Sequence, residues 1–298
     1  MCAPDLHLPA GTCAAGGDPV VVTAEGAGWS FCGLRVVRLA AGEARELDTS
    51  RDETAVVPLA GGPLELEVDR RRLELEGRES VFARVSDWAY VPLGARAALR
   101  ARAGAEVALA TARATRRLEP AHVRAEDVPI EIRGAGPATR QVTNFLAPEA
   151  FAGAERLICV EVLTPDGNWS SYPPHKHDDS PGSPAENEEI YYFRLGRSGG
   201  TATSGEGFAL HRTYTADGAI DATVTVRDGD VFLVPRGYHG PCVAAPGYPL
   251  YYLNVMAGPA SVRTMAIADD PPHAWIRSSW ADERPDPRCP LTTAAGAR

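Results

Sequence analysis

Asp87-Trp-Ala-Tyr-Val-Pro-Leu-Gly94 and Asp230-Val-Phe-Leu-Val-Pro-Arg-Gly237 spell one pattern, Asp-x-x-x-Val-Pro-x-Gly, at an offset of 143 residues. Each copy is a short β-rich run closed by a Pro-x-Gly turn. Each also falls at the same place in a series of strand-like segments, the mark of an internal duplication. The first series covers 33–39, 55–59, 64–68, 80–85, 88–92 and 106–112; the second covers 156–164, 189–195, 222–227, 231–235 and 250–257. Gly, Pro and Asp separate them, and no long amphipathic helix is legible. The pattern predicts an all-β chain of two similar barrel or sandwich units, residues 1–115 and 128–275, joined by a polar linker at 116–127. The Pro-rich tail at 276–298 has too little apolar content for a core of its own, and its end is expected to be mobile.

Of the 298 residues, 44% are hydrophobic and 23% charged, a balance that allows a full core in a soluble chain. A formal net charge of −9 and no concentrated basic stretch argue against nucleic acid and for a small-molecule partner. The start lacks a basic region followed by an apolar run, and no stretch is long and apolar enough to span a membrane. The expectation is a cytoplasmic protein without membrane contact. Six scattered cysteines with no CxxC pair suggest neither a disulfide framework nor a cysteine zinc site. Arginine accounts for all but one of the 30 basic residues; the single lysine is Lys176.

Lys176 lies inside Pro173-Pro-His-Lys-His-Asp178. Strand alternation puts His175 and His177 on one face, where two imidazoles can meet one cation, and turns Lys176 away. A salt bridge or an inter-unit contact is the expected role of the lysine. Downstream, Glu189 opens a strand that ends at Gly196, and His239 follows the Pro235-Arg-Gly237 turn. His-x-His, Glu-x6-Gly and a histidine after Pro-x-Gly together resemble the two cupin motifs. That resemblance implies a bicupin of two jelly-roll-like β-barrels with His175, His177, Glu189 and His239 as ligands of one divalent metal. Zn²⁺ or Mn²⁺ is expected first, with Fe²⁺ and Ni²⁺ compatible. Glu188 and Glu189 cannot share a face, and Glu188 is assigned to the solvated loop before the strand. The N-terminal copy keeps its Pro-x-Gly turn but has no such histidines, so it should hold no metal.

A closer resemblance runs from about Leu8 to Trp275. Asn168-Trp-Ser-Ser-Tyr-Pro-Pro-His-Lys-His-Asp178, Glu188-Glu-Ile-Tyr-Tyr192, Val234-Pro-Arg-Gly-Tyr-His239, Tyr251-Tyr-Leu-Asn-Val-Met-Ala-Gly-Pro259, Gly26-Ala-Gly-Trp29 and Leu34-Arg-Val-Val-Arg-Leu39 look like the 5-deoxy-glucuronate isomerase family of myo-inositol catabolism. The eleven residues between His177 and Glu189 exceed the usual cupin spacing and look like that family's loop. The resemblance implies interconversion of 5-deoxy-D-glucuronate and 2-deoxy-5-keto-D-gluconate, a metal-dependent aldose-ketose isomerisation of a sugar acid, with a homo-oligomer compatible.

Such a reaction needs an electrophile for an enediol oxygen, a proton carrier and a carboxylate anchor. His211 and Tyr214 are the candidate catalytic residues, against the plainer reading of hydrogen-bonded wall residues. Arg212 and Arg236 are candidate carboxylate anchors, and Tyr252 and Asn254 share a strand face that could line the pocket. Two alternatives belong to other classes: a cupin metal dioxygenase and a non-catalytic sugar-acid-binding bicupin. Oxygen uptake separates the first from an isomerase, and metal-dependent turnover separates the second.

Overall fold

Strand Asp52–Gly61 is buried at seven consecutive positions, 53–59, which a strand manages only when both of its faces are covered. Ile158–Thr164 and Leu250–Ala257 are buried throughout for the same reason. The computed structural model, which describes residues 5–298, shows what covers them. Two large antiparallel sheets lie back to back, and each carries a smaller sheet on its outer side.

The first large sheet runs Ala121–Val123, Trp88–Val91, Asp52–Gly61, Ala105–Arg113, Cys32–Leu39, Val20–Val22. Its companion runs Ala44–Leu47, Ala97–Ala101, Leu64–Val68, Arg71–Leu75. Between them Val37, Val56 and Leu109 meet Leu64, Leu66 and Leu99. The second large sheet runs His7–Leu8, Val231–Val234, Glu188–Leu195, Leu250–Ala257, Ile158–Thr164, Arg140–Thr143, Ile130–Arg133. Its companion runs Asp221–Val226, Ala209–Tyr214, Tyr238–Ala244, His175–Lys176, Ala268–Asp269. The largest apolar cluster joins the two large sheets, bringing Leu34, Val36, Val57 and Trp88 together with Cys159, Ile190, Leu233 and Leu253. The fold is all-β, with helices of only four and five residues. No described helix is long and apolar enough to cross a membrane.

The repeated motif has a structural meaning. Asp230 accepts from the backbone N–H of Ala10 and Arg227 and lies 2.8 Å from His7 Nε2. Asp87 does the same with the N–H of Glu76 and Gly77, and lies 3.0 Å from His122 Nε2. Each aspartate thus secures the short edge strand beside it: His7–Leu8 on Val231–Val234, and Ala121–Val123 on Trp88–Val91. The chain's first strand is therefore lent to the second large sheet, and residues 121–123 of the polar connection close the first.

Three expectations change. The apolar run 80–85 is a turn, held by Ala83 N–H to Ser80 O, and its Val81, Phe82 and Val85 plug the seam between the units. Its composition reports burial, which periodicity in so short a run does not distinguish from a strand. The tail's end is packed: Thr292 is buried, bonds to Gln141, and pairs with Gly296–Ala297 as a small ribbon. Glu188 is no loop residue. Its carboxylate accepts from the backbone N–H of Ser30, Phe31 and Cys32 at 2.7–2.9 Å, where the chain enters Cys32–Leu39. Glu53 returns the contact on the N–H of Glu155, Arg156 and Leu157, at 2.6–2.8 Å, before Ile158–Thr164.

The seam also holds a fully buried ion pair. Arg78 gives Nη2 to Glu161 Oε2 at 2.7 Å and Nη1 to Oε1 at 3.1 Å, and its Nε goes to Pro58 O. Removing one charge of such a pair leaves the other unmatched. Glu161→Gln is expected to destabilise the fold by about 3–5 kcal/mol, read as a lower urea midpoint. The apolar double variant Arg78→Met with Glu161→Leu should be less damaging than either single change.

Candidate metal centre and cavity

His175 and His239 are direct cross-strand partners, on His175–Lys176 and Tyr238–Ala244 of the smaller sheet. Glu189 comes from the large sheet opposite, where it pairs with Val234 and Met256. The centre therefore lies between the two sheets of the second unit. His177 Nε2 is 3.1 Å and His239 Nε2 3.0 Å from Glu189 Oε2, and ligand atoms of all three residues lie within 4.8 Å of one another. His175 stands beside this group, its ring centroid 4.5 Å from that of His239 and 6.5 Å from that of His177.

The surroundings orient these side chains. His175 Nδ1 donates to Pro173 O at 2.9 Å and His177 Nδ1 to Asn187 O at 3.3 Å, which turns each Nε2 inward. Asn254 donates its amide to the second oxygen of Glu189. Burial works to raise the Glu189 carboxyl, but the imidazoles of His239 and His177 outweigh it and hold the group well below the usual carboxylate range. Burial pulls His177 down, and Glu189 overrides it and holds the imidazole above its ordinary value. His175, buried with His239 beside it, is pushed well below.

A divalent cation fits this donor set. His239 is fully buried, yet neither of its ring nitrogens has a hydrogen-bond partner, since Nε2 faces Glu189 out of line for one. Asn254 Oδ1 is likewise buried and unpartnered. An unsatisfied polar atom at this depth is costly, and a cation bound by imidazole nitrogen and carboxylate oxygen removes the cost at His239 Nε2. No comparable group of His, Cys, Asp or Glu occurs elsewhere among the described residues. In the first unit Thr54 pairs with Val91 as Glu189 pairs with Val234, so threonine stands where the second unit has its carboxylate.

The centre opens into a cavity of about 220 Å³. Tyr252 and Asn254 line it, as their shared strand face predicts, together with Ser171, Tyr191, Val142, Val160 and Val162. The other candidates are not among its lining residues. His211 is buried behind Tyr191, ring centroids 5.4 Å apart, with Nδ1 3.1 Å from Cys242 Sγ and Nε2 3.0 Å from Thr213 Oγ1. Burial pushes its pKa down to about 3, so it is neutral at physiological pH. Tyr214 bonds to Asp270 at 2.5 Å under the Arg212 guanidinium. Arg212 pairs with Asp221, and Arg236 with Asp217, both on the surface.

Arginines do reach the cavity, but they are Arg133, Arg140 and Arg277. With 29 arginines in the sequence, no local signal marks these three. Tyr191 was within reach of the sequence, since alternation puts it on the face of Glu189 two residues on. Lys176 points away from the centre, as expected. It forms neither a salt bridge nor an inter-unit contact: its Nζ bonds Ser180 Oγ at 2.6 Å and Pro181 O at 2.9 Å, beside the Tyr238 ring. With Asp178, which accepts from Gly237 N–H at 2.6 Å, it pins the long loop between His177 and Glu189.

Comparison with known proteins agrees with this architecture. A 5-deoxy-glucuronate isomerase of Geobacillus kaustophilus (strain HTA426) is 42% identical over 267 residues, 88% of this chain and 92% of that protein. The Bacillus subtilis (strain 168) protein of the same name is 37% identical, over 86% and 91%. The crystal structure of an IolB-like protein from Salmonella typhimurium LT2 superposes with a TM-score of 0.82 at 32% identity, over 91% of this chain and 99% of that one. Lactobacillus farciminis oxalate decarboxylase shares the fold alone, with a TM-score of 0.63 at 13% identity over 90% and 89%. The fold is that of a bicupin. The KduI/IolB family model matches residues 7–276, and the chain belongs to the KduI/IolB family.

Proposed function

We propose that this chain is a metal-dependent 5-deoxy-glucuronate isomerase, converting the aldose acid 5-deoxy-D-glucuronate to the ketose acid 2-deoxy-5-keto-D-gluconate. The observation that carries this reading is the buried convergence of His177, Glu189 and His239, with His175 beside them, at the wall of a small-molecule cavity. Relatives at 34–42% identity that carry this name support it. The setting we assign is the cytoplasm and the breakdown of myo-inositol.

His175, His177, Glu189 and His239 would hold one divalent ion, Zn²⁺ or Mn²⁺ by preference, with Fe²⁺ and Ni²⁺ compatible. When bound, such an ion supplies a Lewis acid that stabilises negative charge on an enediol. The chain's own residues do the rest. Asn254 fixes the Glu189 carboxylate through its amide and offers its unpartnered Oδ1 as an acceptor for a sugar hydroxyl. Burial and the Glu189 charge push the Tyr191 phenol well above its ordinary value, so it stays protonated. Sharing a hydrogen bond with Ser171 Oγ at 3.0 Å, it is placed as a donor to a substrate oxygen. His211, packed edge-on against that ring, positions it.

The purified protein is expected to carry about one divalent ion per chain. His177→Ala should lose both the ion and turnover of 5-deoxy-glucuronate while keeping its β circular-dichroism spectrum. Elemental analysis near two ions per chain counts against the reading, and global unfolding of the variant makes the ion structural. Turnover should also continue without O₂ and without a nicotinamide, because an aldose-ketose isomerisation leaves no electrons to dispose of. An anaerobic assay in deuterated water checks this, with product followed by NMR. Dependence on oxygen would overturn the isomerase in favour of a dioxygenase.

A further inference from the structure

Arg140 is a buried cation without a counterion. It is 4% exposed, its Nη1 donates to Ala138 O at 3.0 Å, and it forms no salt bridge with any described carboxylate. The other two arginines of the cavity are matched, Arg133 to Glu131 and Arg277 to Asp269, each with a contact of 2.7 Å. Burial draws the Arg140 guanidinium down to about 10, with Arg133 and Arg277 adding to the effect, and it is still charged at neutral pH. The position is built for it. At Gly134, with φ +81°, a Cβ would sit 2.8 Å from Arg140 Nη1 and 2.2 Å from Ala138 O. On another side the ring of Trp280 lies 5.5 Å from the guanidinium carbon. A desolvated charge held in this way without an anion is costly, and a ligand anion removes the cost.

Between Arg140 and the metal centre the cavity floor changes character. Arg140 and Val142 share one face of their strand; Val142 pairs with Val162, Val162 with Tyr252, and Val160 with Asn254. Tyr191, two residues past Glu189 on the same face, pairs with Asn254 in turn. The path from Arg140 to Glu189 thus crosses three strand spacings, about 14 Å between backbones, and both residues line the one cavity. A six-carbon chain is short enough to lie across the strands between them. The stretch beside Arg140 is Val142, Val160 and Val162, which are 2–6% exposed and offer no polar side-chain atom.

We propose that Arg140 binds the substrate's carboxylate and that Val142, Val160 and Val162 hold the deoxygenated carbon next to it, so that this end of the cavity selects the 5-deoxy uronate. The assignment rests on the isomerase reading and deepens it. In a hexuronate the fifth carbon adjoins the carboxylate, so a carboxylate on Arg140 lays that carbon over the valines. A hydroxyl there would leave water without gaining a partner. An apolar wall rejects an added hydroxyl by on the order of 10²-fold.

The metal-loaded enzyme tests this with three sugars: 5-deoxy-glucuronate, its neutral counterpart 5-deoxy-glucose, and glucuronate, read by KM or as competitive inhibitors by Ki. Arg140→Met should raise KM for 5-deoxy-glucuronate on the order of 10²-fold while leaving the Ki of 5-deoxy-glucose little changed. Arg140→Lys should recover part of the loss. Val162→Thr, nearly isosteric, should narrow the preference for 5-deoxy-glucuronate over glucuronate by roughly tenfold. Metal content and circular dichroism verify that each variant is folded and loaded; if the Met variant fails there, the Lys variant reads the same charged-to-neutral ratio. An unchanged ratio in the Arg140 variants, or an unchanged deoxy preference in Val162→Thr, overturns the assignment. A wild-type enzyme inert toward 5-deoxy-glucuronate overturns the isomerase reading instead.

Discussion

Glu188 and Glu189 leave one strand in opposite directions, and each carboxylate is committed to a different half of the molecule. Glu188 faces the seam and takes three backbone N–H groups where the other unit's strand begins. Glu189 faces the cavity, about 3 Å from two imidazoles. A strand's side chains alternate with a period of two, so a slip of one residue turns each carboxylate to the other face. A slip one way brings Ile190 to the centre and a slip the other way brings Asn187 to the seam, so one of the two always loses its acid. Assembly of the two units and construction of the site are thus set by one register.

The duplication shows which half of this arrangement is general. Glu53 clasps the second unit as Glu188 clasps the first, and the motif aspartates Asp87 and Asp230 each fasten an edge strand through a histidine. These contacts satisfy backbone donors at strand entries, a requirement any β-unit has. The metal centre follows no such requirement and occurs in one copy, where Thr54 marks the corresponding place in the other. A cavity beside Thr54 is lined by Arg35 and Arg45, both already paired with the buried Asp18. The corresponding face of the second unit presents Val160, with the open guanidinium of Arg140 on the next strand.

The cavity joins unlike ends. Imidazoles and a carboxylate stand at one, an unmatched guanidinium at the other, with valines between. A buried charge that the fold leaves unpaired costs stability, and sites of that kind are where proteins keep binding groups. Arg133 and Arg277 stand at the same end with their charge already matched by carboxylates, which leaves Arg140, among the described residues, as the free cation there.

Most of the long strands, the duplication and the spacing of His175, His177, Glu189 and His239 were legible in the sequence by itself. Each is a short-range pattern: alternation says which face a side chain takes, and turn residues say where a strand stops. The same patterns left Tyr252 and Asn254 on one face, where the cavity has them. Only the tertiary structure decided what meets across the sheets. Arg140 and Arg277 come from segments 35 residues before and 102 residues after His175, and nothing local separates them from Arg212 and Arg236, which end in surface ion pairs. His211 lies on a strand face that alternation directs inward, yet Tyr191 stands between it and the cavity. Glu188 reads as a loop residue until the other unit's backbone is placed against it. Burial, and with it the value of a charge or a hydrogen bond, is a property of packing between distant segments, and periodicity along one segment does not contain it.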